Sequence, residues 1–116
     1  MSDLENNIAK LQPILARLRE TGVMNRIGGQ DAPAQSGATF ANHSPVDESY
    51  ICDVAKSGAA DIDAATQAAK AAFPAWRDFP AAERKKVLHA IADGIVARAE
   101  EIALSIGLAR PATASE

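Results

Sequence analysis

The stretch of sequence that decides most of the fold is residues 58–103, GAADIDAATQAAKAAFPAWRDFPAAERKKVLHAIADGIVARAEEIA. Apolar residues recur in it at intervals of three and four, which is the period of helices that bury one face. Gly58 and Asp61 open the first of two helices predicted here. Pro74 is expected to end that helix near Phe73, because proline lacks the backbone donor that a helix interior requires.

The second helix of this stretch is predicted to run from about residue 81 to about residue 103. Pro80 stands at its start, where the missing donor does no harm. Phe73, Trp76 and Phe79 are expected to form an apolar plug at the corner between the two helices. We expect the apolar stripe of this helix to be buried; it consists of Leu88, Ile91, Ala92, Ile95, Ala99 and Ile102.

Residues 1–22 are predicted to form an N-terminal amphipathic helix. Ser2 and Glu5 have the spacing of a capping box, and Thr21-Gly22 is a stop signal. Pro13 predicts a kink or a late start. The apolar stripe, at nearly heptad spacing, is Leu4, Ile8, Leu11, Leu15 and Leu18. It allows two interpretations: an arm that pairs with a partner helix, or a helix packed on its own protein.

The segment between these helices is predicted to contain a single β-hairpin. Residues 23–40 are rich in glycine, proline and serine and are predicted to be a loop. Residues 38–43 and 50–54 are predicted strands, and residues 44–49 have the composition of a turn. The predicted fold is therefore α+β and mainly helical, with three helices plus one hairpin.

Composition narrows the classes of function. The chain has 116 residues and a formal net charge of −3, with no strongly basic segment, so binding to nucleic acid or to anionic membranes is not expected. No apolar run reaches membrane-spanning length and no targeting leader is recognised. Cys52 is the only cysteine, which excludes an intramolecular disulfide. We expect a cytoplasmic protein.

Few residues are candidates for chemistry. Cys52 is the only possible thiol nucleophile, but the neighbouring Asp53 opposes the lowered pKa that a reactive thiol needs, so we interpret Cys52 as a small apolar residue. His43 and His89 have no partner at metal-ligand spacing.

The remaining polar signals are interpreted structurally. Asp61 and Asp63 favour a helix N-terminus, and Glu100 and Glu101 are expected on a solvated face. Gly28-Gly29 lacks the further glycine and the strand-then-helix context of a dinucleotide site. We therefore predict no catalytic, cofactor-binding or metal residue in this chain.

Four segments, taken in order, resemble the N-terminal region of the aldehyde dehydrogenase superfamily. They are residues 27–30 (IGGQ), 40–51 (FANHSPVDESYI), 60–76 (ADIDAATQAAKAAFPAW) and 82–84 (AER) with Leu88 and Ile91 beyond it. The added N-terminal helix most resembles that of semialdehyde dehydrogenases of aromatic-compound breakdown, especially the enzyme acting on 5-carboxymethyl-2-hydroxymuconate semialdehyde.

The resemblance implies an activity for the complete protein. A family member has a Rossmann-like cofactor domain, a catalytic domain and an oligomerisation element. A cysteine thiolate attacks the aldehyde, hydride passes to NAD or NADP, and a glutamate-activated water releases the carboxylate. In the family these residues come later in the chain, and Cys52 does not match the nucleophile motif. The chain alone is therefore expected to be inactive and to bind no cofactor.

The resemblance is expected to stop near Ala103. Where the family continues with Asp-(Thr/Asn/Ser)-Gly-(Lys/Gln)-Pro, residues 107–111 read GLARP. We divide the chain into the N-terminal helix (1–22), the family segment (23–103) and a loose non-family tail (104–116). One hypothesis is that a shifted reading frame near residue 103 truncates the gene, and genomic DNA would test it.

Three functions are compatible with these patterns. The preferred one is an inactive dehydrogenase fragment whose exposed helix faces allow self-association. The alternatives are a free-standing helical interaction module that pairs through its N-terminal stripe, and, least favoured, a small enzyme that uses Cys52.

Overall fold

The computed structural model describes residues 2–109, with side chains through residue 106. In this part of the chain the elements follow the order α1 (Asp3–Thr21), β1 (Asn25–Ile27), β2 (Gln30–Ala32), β3 (Thr39–His43), β4 (Tyr50–Ala55), α2 (Ala59–Asp78), α3 (Ala81–Ala97) and α4 (Ala99–Ala109). The strands form two small antiparallel sheets, β1 with β2 and β3 with β4. The α+β, mainly helical class is confirmed, with one more helix and one more hairpin than predicted.

The chain divides into two compact units, each assembled from separate stretches of sequence. Among the described residues, the first unit contains residues 2–23, 39–54 and 99–109. The second contains residues 24–38 and 55–98. Each unit therefore depends on contacts between residues far apart in the sequence.

Helix α1, in the first unit, begins with the predicted capping box. The backbone N–H of Ser2 donates to Glu5 Oε2 at 2.7 Å, and the N–H of Glu5 donates to Ser2 Oγ at 3.3 Å. The helix then continues through Pro13, so the expected late start is wrong. Proline removes one backbone hydrogen bond, and the rest of a 19-residue helix remains.

Helix α1 ends at a glycine that lies against β4. Gly22 has φ +64° and ψ −171°, and its N–H donates to the Leu18 carbonyl at 2.8 Å, which confirms the predicted stop. A Cβ atom at this position would lie 2.9 Å from the Asp53 carbonyl oxygen. The N–H of Val23 donates to that same oxygen at 2.8 Å. The end of α1 is thus fixed on β4 through close backbone contact.

Helix α4 packs on α1 within the first unit. Lys10 Nζ lies 2.5 Å from Glu100 Oε1, and Arg17 pairs with Glu101. The expected solvated position is confirmed for Glu100, whose side chain is 67% exposed, and is wrong for Glu101, whose side chain is only 26% exposed. The expected loose tail is also wrong as far as Ala109, because packing on α1 supports a helix that local sequence does not reveal. The rest of that tail lies outside the described residues.

The single helix predicted for residues 81–103 is two helices. Helix α3 ends at Ala97, and Arg98 has φ −110° and ψ 18°, outside the helical range of both angles. The N–H of Arg98 donates to the carbonyls of Gly94 and Ile95, both at 3.2 Å, which closes the last turn tightly. Apolar periodicity crosses this break unchanged, so the sequence pattern could not show it.

The loop predicted for residues 23–40 contains a second hairpin. Strands β1 and β2 pair in antiparallel register, with Ile27 opposite Gln30. Gly28 and Gly29 form the turn with φ +59° and +78°, the positive angles that a two-residue type I′ turn requires at both positions. Strands of three residues are too short to display the alternation from which strands are predicted.

The predicted hairpin of β3 and β4 is confirmed, with its turn chemistry. The N–H of Ser44 donates to the Ser49 carbonyl at 2.8 Å across the ends of the strands. Asp47 Oδ1 accepts from the N–H of Ser49 at 3.0 Å, and Glu48 adopts φ +59°. Short-range hydrogen bonds from turn-forming residues thus set the position of the reversal.

Helix α2 does not end near Phe73 as predicted, but runs through Pro74 to Asp78. Alanine, the best helix former, occupies positions 71, 72 and 75 around Phe73-Pro74, and the helix stays intact at the cost of one hydrogen bond. The corner therefore falls at Phe79, whose ring stacks on Trp76 with centroids 6.2 Å apart. Two of the three predicted aromatic residues thus meet at the corner, but all three side chains are exposed, so they do not form the expected apolar plug.

Among the described residues, the buried apolar side chains are Ala34, Ile51 and Cys52. The stripe of α3 that was expected to be buried is open: Leu88 is 60% exposed and Ile91 is 55% exposed. The prediction of a buried stripe is therefore wrong, whereas the exposed helix faces expected of a dehydrogenase fragment are present. Helical periodicity identifies which face is apolar, but it does not supply the element that covers that face.

Candidate functional site

Cys52 lies in β4 and is only 2% exposed. Burial raises the pKa of its thiol, and the negative charge of Asp53 raises the pKa further. A nucleophilic cysteine needs the opposite shift, which a cation or a helix N-terminus would provide. The environment of Cys52 therefore favours the neutral thiol.

The structure brings His43 near Cys52, which the sequence did not predict. Both residues line a hollow of about 420 Å³ in the first unit, together with Leu18, Val23, Asn42, Pro45, Ile51 and Ser105. The imidazole of His43 packs edge-on against the ring of Tyr50, with centroids 6.1 Å apart. The two causes that raise the pKa of Cys52, burial and the charge of Asp53, both oppose the activation of its thiol.

Asp61 is a structural residue in the second unit, and it is only 6% exposed. Its Oδ2 accepts from the N–H of Gly58 at 2.9 Å, which confirms its interpretation as an acid at the start of α2. Its Oδ1 accepts from the N–H of Gln35 at 2.9 Å, a link across 26 residues that sequence reasoning missed. Both oxygens are occupied by backbone donors, so Asp61 is poorly placed to exchange protons with a substrate.

The Gly28-Gly29 pair does not form a phosphate-binding loop. It is the tip of an antiparallel hairpin, and the residues after it continue into β2. A dinucleotide phosphate site needs a glycine turn that leads from a strand into the N-terminus of a helix. These glycines therefore do not fit the phosphates of a nicotinamide cofactor.

Residues 2–109 offer neither a metal site nor a membrane span. No group of three or more His, Cys, Asp or Glu side chains in this range could hold a metal ion. No helix in the same range is both long and apolar enough to cross a bilayer.

Large apolar side chains on α2, on α3 and at the corner between them are exposed in the second unit, and together they are called the α2–α3 surface. It includes Leu88, Ile91 and Ile95 at helical spacing on α3, and the aromatic corner of α2. Its exposed large side chains are Ile62, Phe73, Trp76, Phe79, Val87, Leu88, Ile91, Ile95 and Val96. Large exposed apolar patches mark sites where other polypeptide packs.

Residues 32–115 match the profile of the Aldehyde dehydrogenase family. The matched range extends beyond residue 103, where the resemblance was expected to stop. The division of the chain into 1–22, 23–103 and 104–116 stays a prediction.

Curated relatives are similar over most of this chain. A probable aldehyde dehydrogenase of Mycobacterium tuberculosis is 42% identical over 86 residues, which is 74% of this chain and 17% of the relative. The 2-hydroxymuconic semialdehyde dehydrogenase of Pseudomonas sp. strain CF600 is 41% identical over 76 residues, 65% of this chain and 16% of the relative. The chain thus spans about a sixth of the length of the curated relatives it matches.

Solved structures agree with this relationship. HpcC from Thermus thermophilus matches 81% of this chain and 18% of its own, with a TM-score of 0.78 and 33% identity. PnpE, solved in complex with nicotinamide adenine dinucleotide, matches 68% of this chain and 16% of its own, with a TM-score of 0.66 and 43% identity. Sequence and fold lead to one conclusion: the chain belongs to the aldehyde dehydrogenase family, of which it carries an N-terminal part.

Proposed function

We propose that this chain is the N-terminal segment of an NAD- or NADP-dependent dehydrogenase that oxidises a semialdehyde to the carboxylate. By itself the segment has no catalytic activity and binds no cofactor. The observation that carries the proposal is the family match over residues 32–115, combined with coverage of only about a sixth of each relative.

The α2–α3 surface supports a role as part of a larger polypeptide. Leu88 and Ile91 leave more than half of their area in water, and the stacked rings of Trp76 and Phe79 are exposed as well. Burying such side chains is worth roughly 1.5–3 kcal/mol each. In the complete enzyme, dehydrogenase polypeptide beyond these residues covers this surface. In the isolated chain, a second copy covers it, so the isolated chain self-associates.

The environment of Cys52 supports the proposed inactivity of the isolated chain. This thiol is the one cysteine in the sequence, and both influences on its pKa disfavour the thiolate. A reduced, buried thiol without a disulfide partner suits the cytoplasm, where we place the enzyme.

The substrate class is proposed from the names of relatives. One relative acts on 2-hydroxymuconic semialdehyde. The similarity of the N-terminal helix to that of semialdehyde dehydrogenases of aromatic-compound breakdown favours an aldehyde of related chemistry, such as 5-carboxymethyl-2-hydroxymuconate semialdehyde. The cofactor is NAD or NADP, held by residues outside this chain.

The proposal is tested by exchanging segments. In the Pseudomonas sp. relative, the 76 aligned residues are replaced by those of this chain, and semialdehyde-dependent reduction of NAD and NADP is recorded for the chimera and for the 116-residue chain alone. We expect activity from the chimera and none from the chain. If the 116-residue chain alone is active and Cys52→Ser abolishes that activity, the proposal that the isolated chain is inactive is wrong. If the chimera folds but is inactive, the proposal that this chain is a dehydrogenase segment is wrong.

A helical interaction module is the alternative function. Leu4 and Ile8 on α1 are exposed, so part of the stripe remains available for a partner helix beside α4. Deletion of residues 1–22 separates the two functions. Self-association through the α2–α3 surface survives this deletion, whereas association through α1 is lost while residues 38–103 remain folded.

A further inference from the structure

We draw no further inference here: the strongest candidate, the apolar groove between α1 and α4 lined by Leu4, Ile8, Leu11, Ala103 and Leu104, carries nothing because nothing in the structure shows what covers it.

Discussion

At the residue scale, Gly22 is a position that the local backbone restricts to glycine. Its φ and ψ angles of +64° and −171° belong to a region that only glycine occupies readily, and the Asp53 carbonyl blocks the space for a Cβ atom. We expect Gly22→Ala to lower the free energy of unfolding by about 1–3 kcal/mol, measured by urea denaturation with far-UV circular dichroism.

Gly94→Ala is the matched control for Gly22→Ala. Gly94 lies inside α3, and a Cβ atom there would meet nothing within 4 Å. Because alanine is the better helix former, this substitution should leave stability unchanged or raise it by up to about 1 kcal/mol. An equal decrease in the free energy of unfolding in the two variants would contradict the conclusion that the backbone at position 22 requires glycine.

The thiol of Cys52 gives a second prediction at this scale. Because burial and Asp53 both raise its pKa, little thiolate is present at about pH 8 and reagents have little access. We expect iodoacetamide to modify the native chain far more slowly than the urea-unfolded chain, as followed by intact mass. The rate should rise as pH increases toward the raised pKa. Rapid labelling of the native chain at about pH 8 would contradict this prediction and would indicate a reactive cysteine.

At the scale of elements, Pro74 weakens a helix that it does not end. Restoring the missing backbone donor in Pro74→Ala should stabilise α2 by up to about 3 kcal/mol and increase the helical signal in far-UV circular dichroism. Pro80→Ala is the control, because Pro80 precedes the first residue of α3 and removes no hydrogen bond from the helix interior. A smaller helical signal in Pro74→Ala would contradict this prediction, because it would mean that Pro74 stabilises α2.

The elements also show how far sequence reasoning reaches. The capping box of Ser2 and Glu5 and the turn at residues 44–49 were predictable because their hydrogen bonds form between near neighbours. The hairpin of β1 and β2 was missed because three-residue strands carry no period. The break at Arg98 was missed because the apolar period continues across it, and α4 was missed because its packing on α1 joins segments far apart in the sequence.

At the scale of the whole molecule, the α2–α3 surface should control association. We expect the 116-residue chain to form oligomers at rising concentration, and the double variant Leu88→Asp/Ile91→Asp to shift it toward monomer, because burying carboxylates in an apolar contact is costly. Sedimentation velocity measures the oligomeric state of the unmodified chain and of the double variant. His89→Asp, which adds a charge beside the apolar stripe of α3, is the control and should associate like the unmodified chain.

The candidate site illustrates a second limit of prediction at this scale. Cys52 could be interpreted as structural from its neighbour Asp53 alone, since a charge one residue away is visible in the sequence. Its shared hollow with His43, and the link from Asp61 to Gln35, come from the folding of distant segments onto one another. Exposure of the α3 stripe was likewise not predictable from its period.

The division of the first unit into separate stretches of sequence has a consequence for synthesis on the ribosome. Helix α1 is made before α4, the helix that packs on it, and Lys10 and Glu100 are 90 residues apart. At a typical elongation rate, the nascent α1 waits roughly 5–20 s for its partner. During that interval the apolar stripe of α1 lacks the cover that α4 gives it in the folded chain.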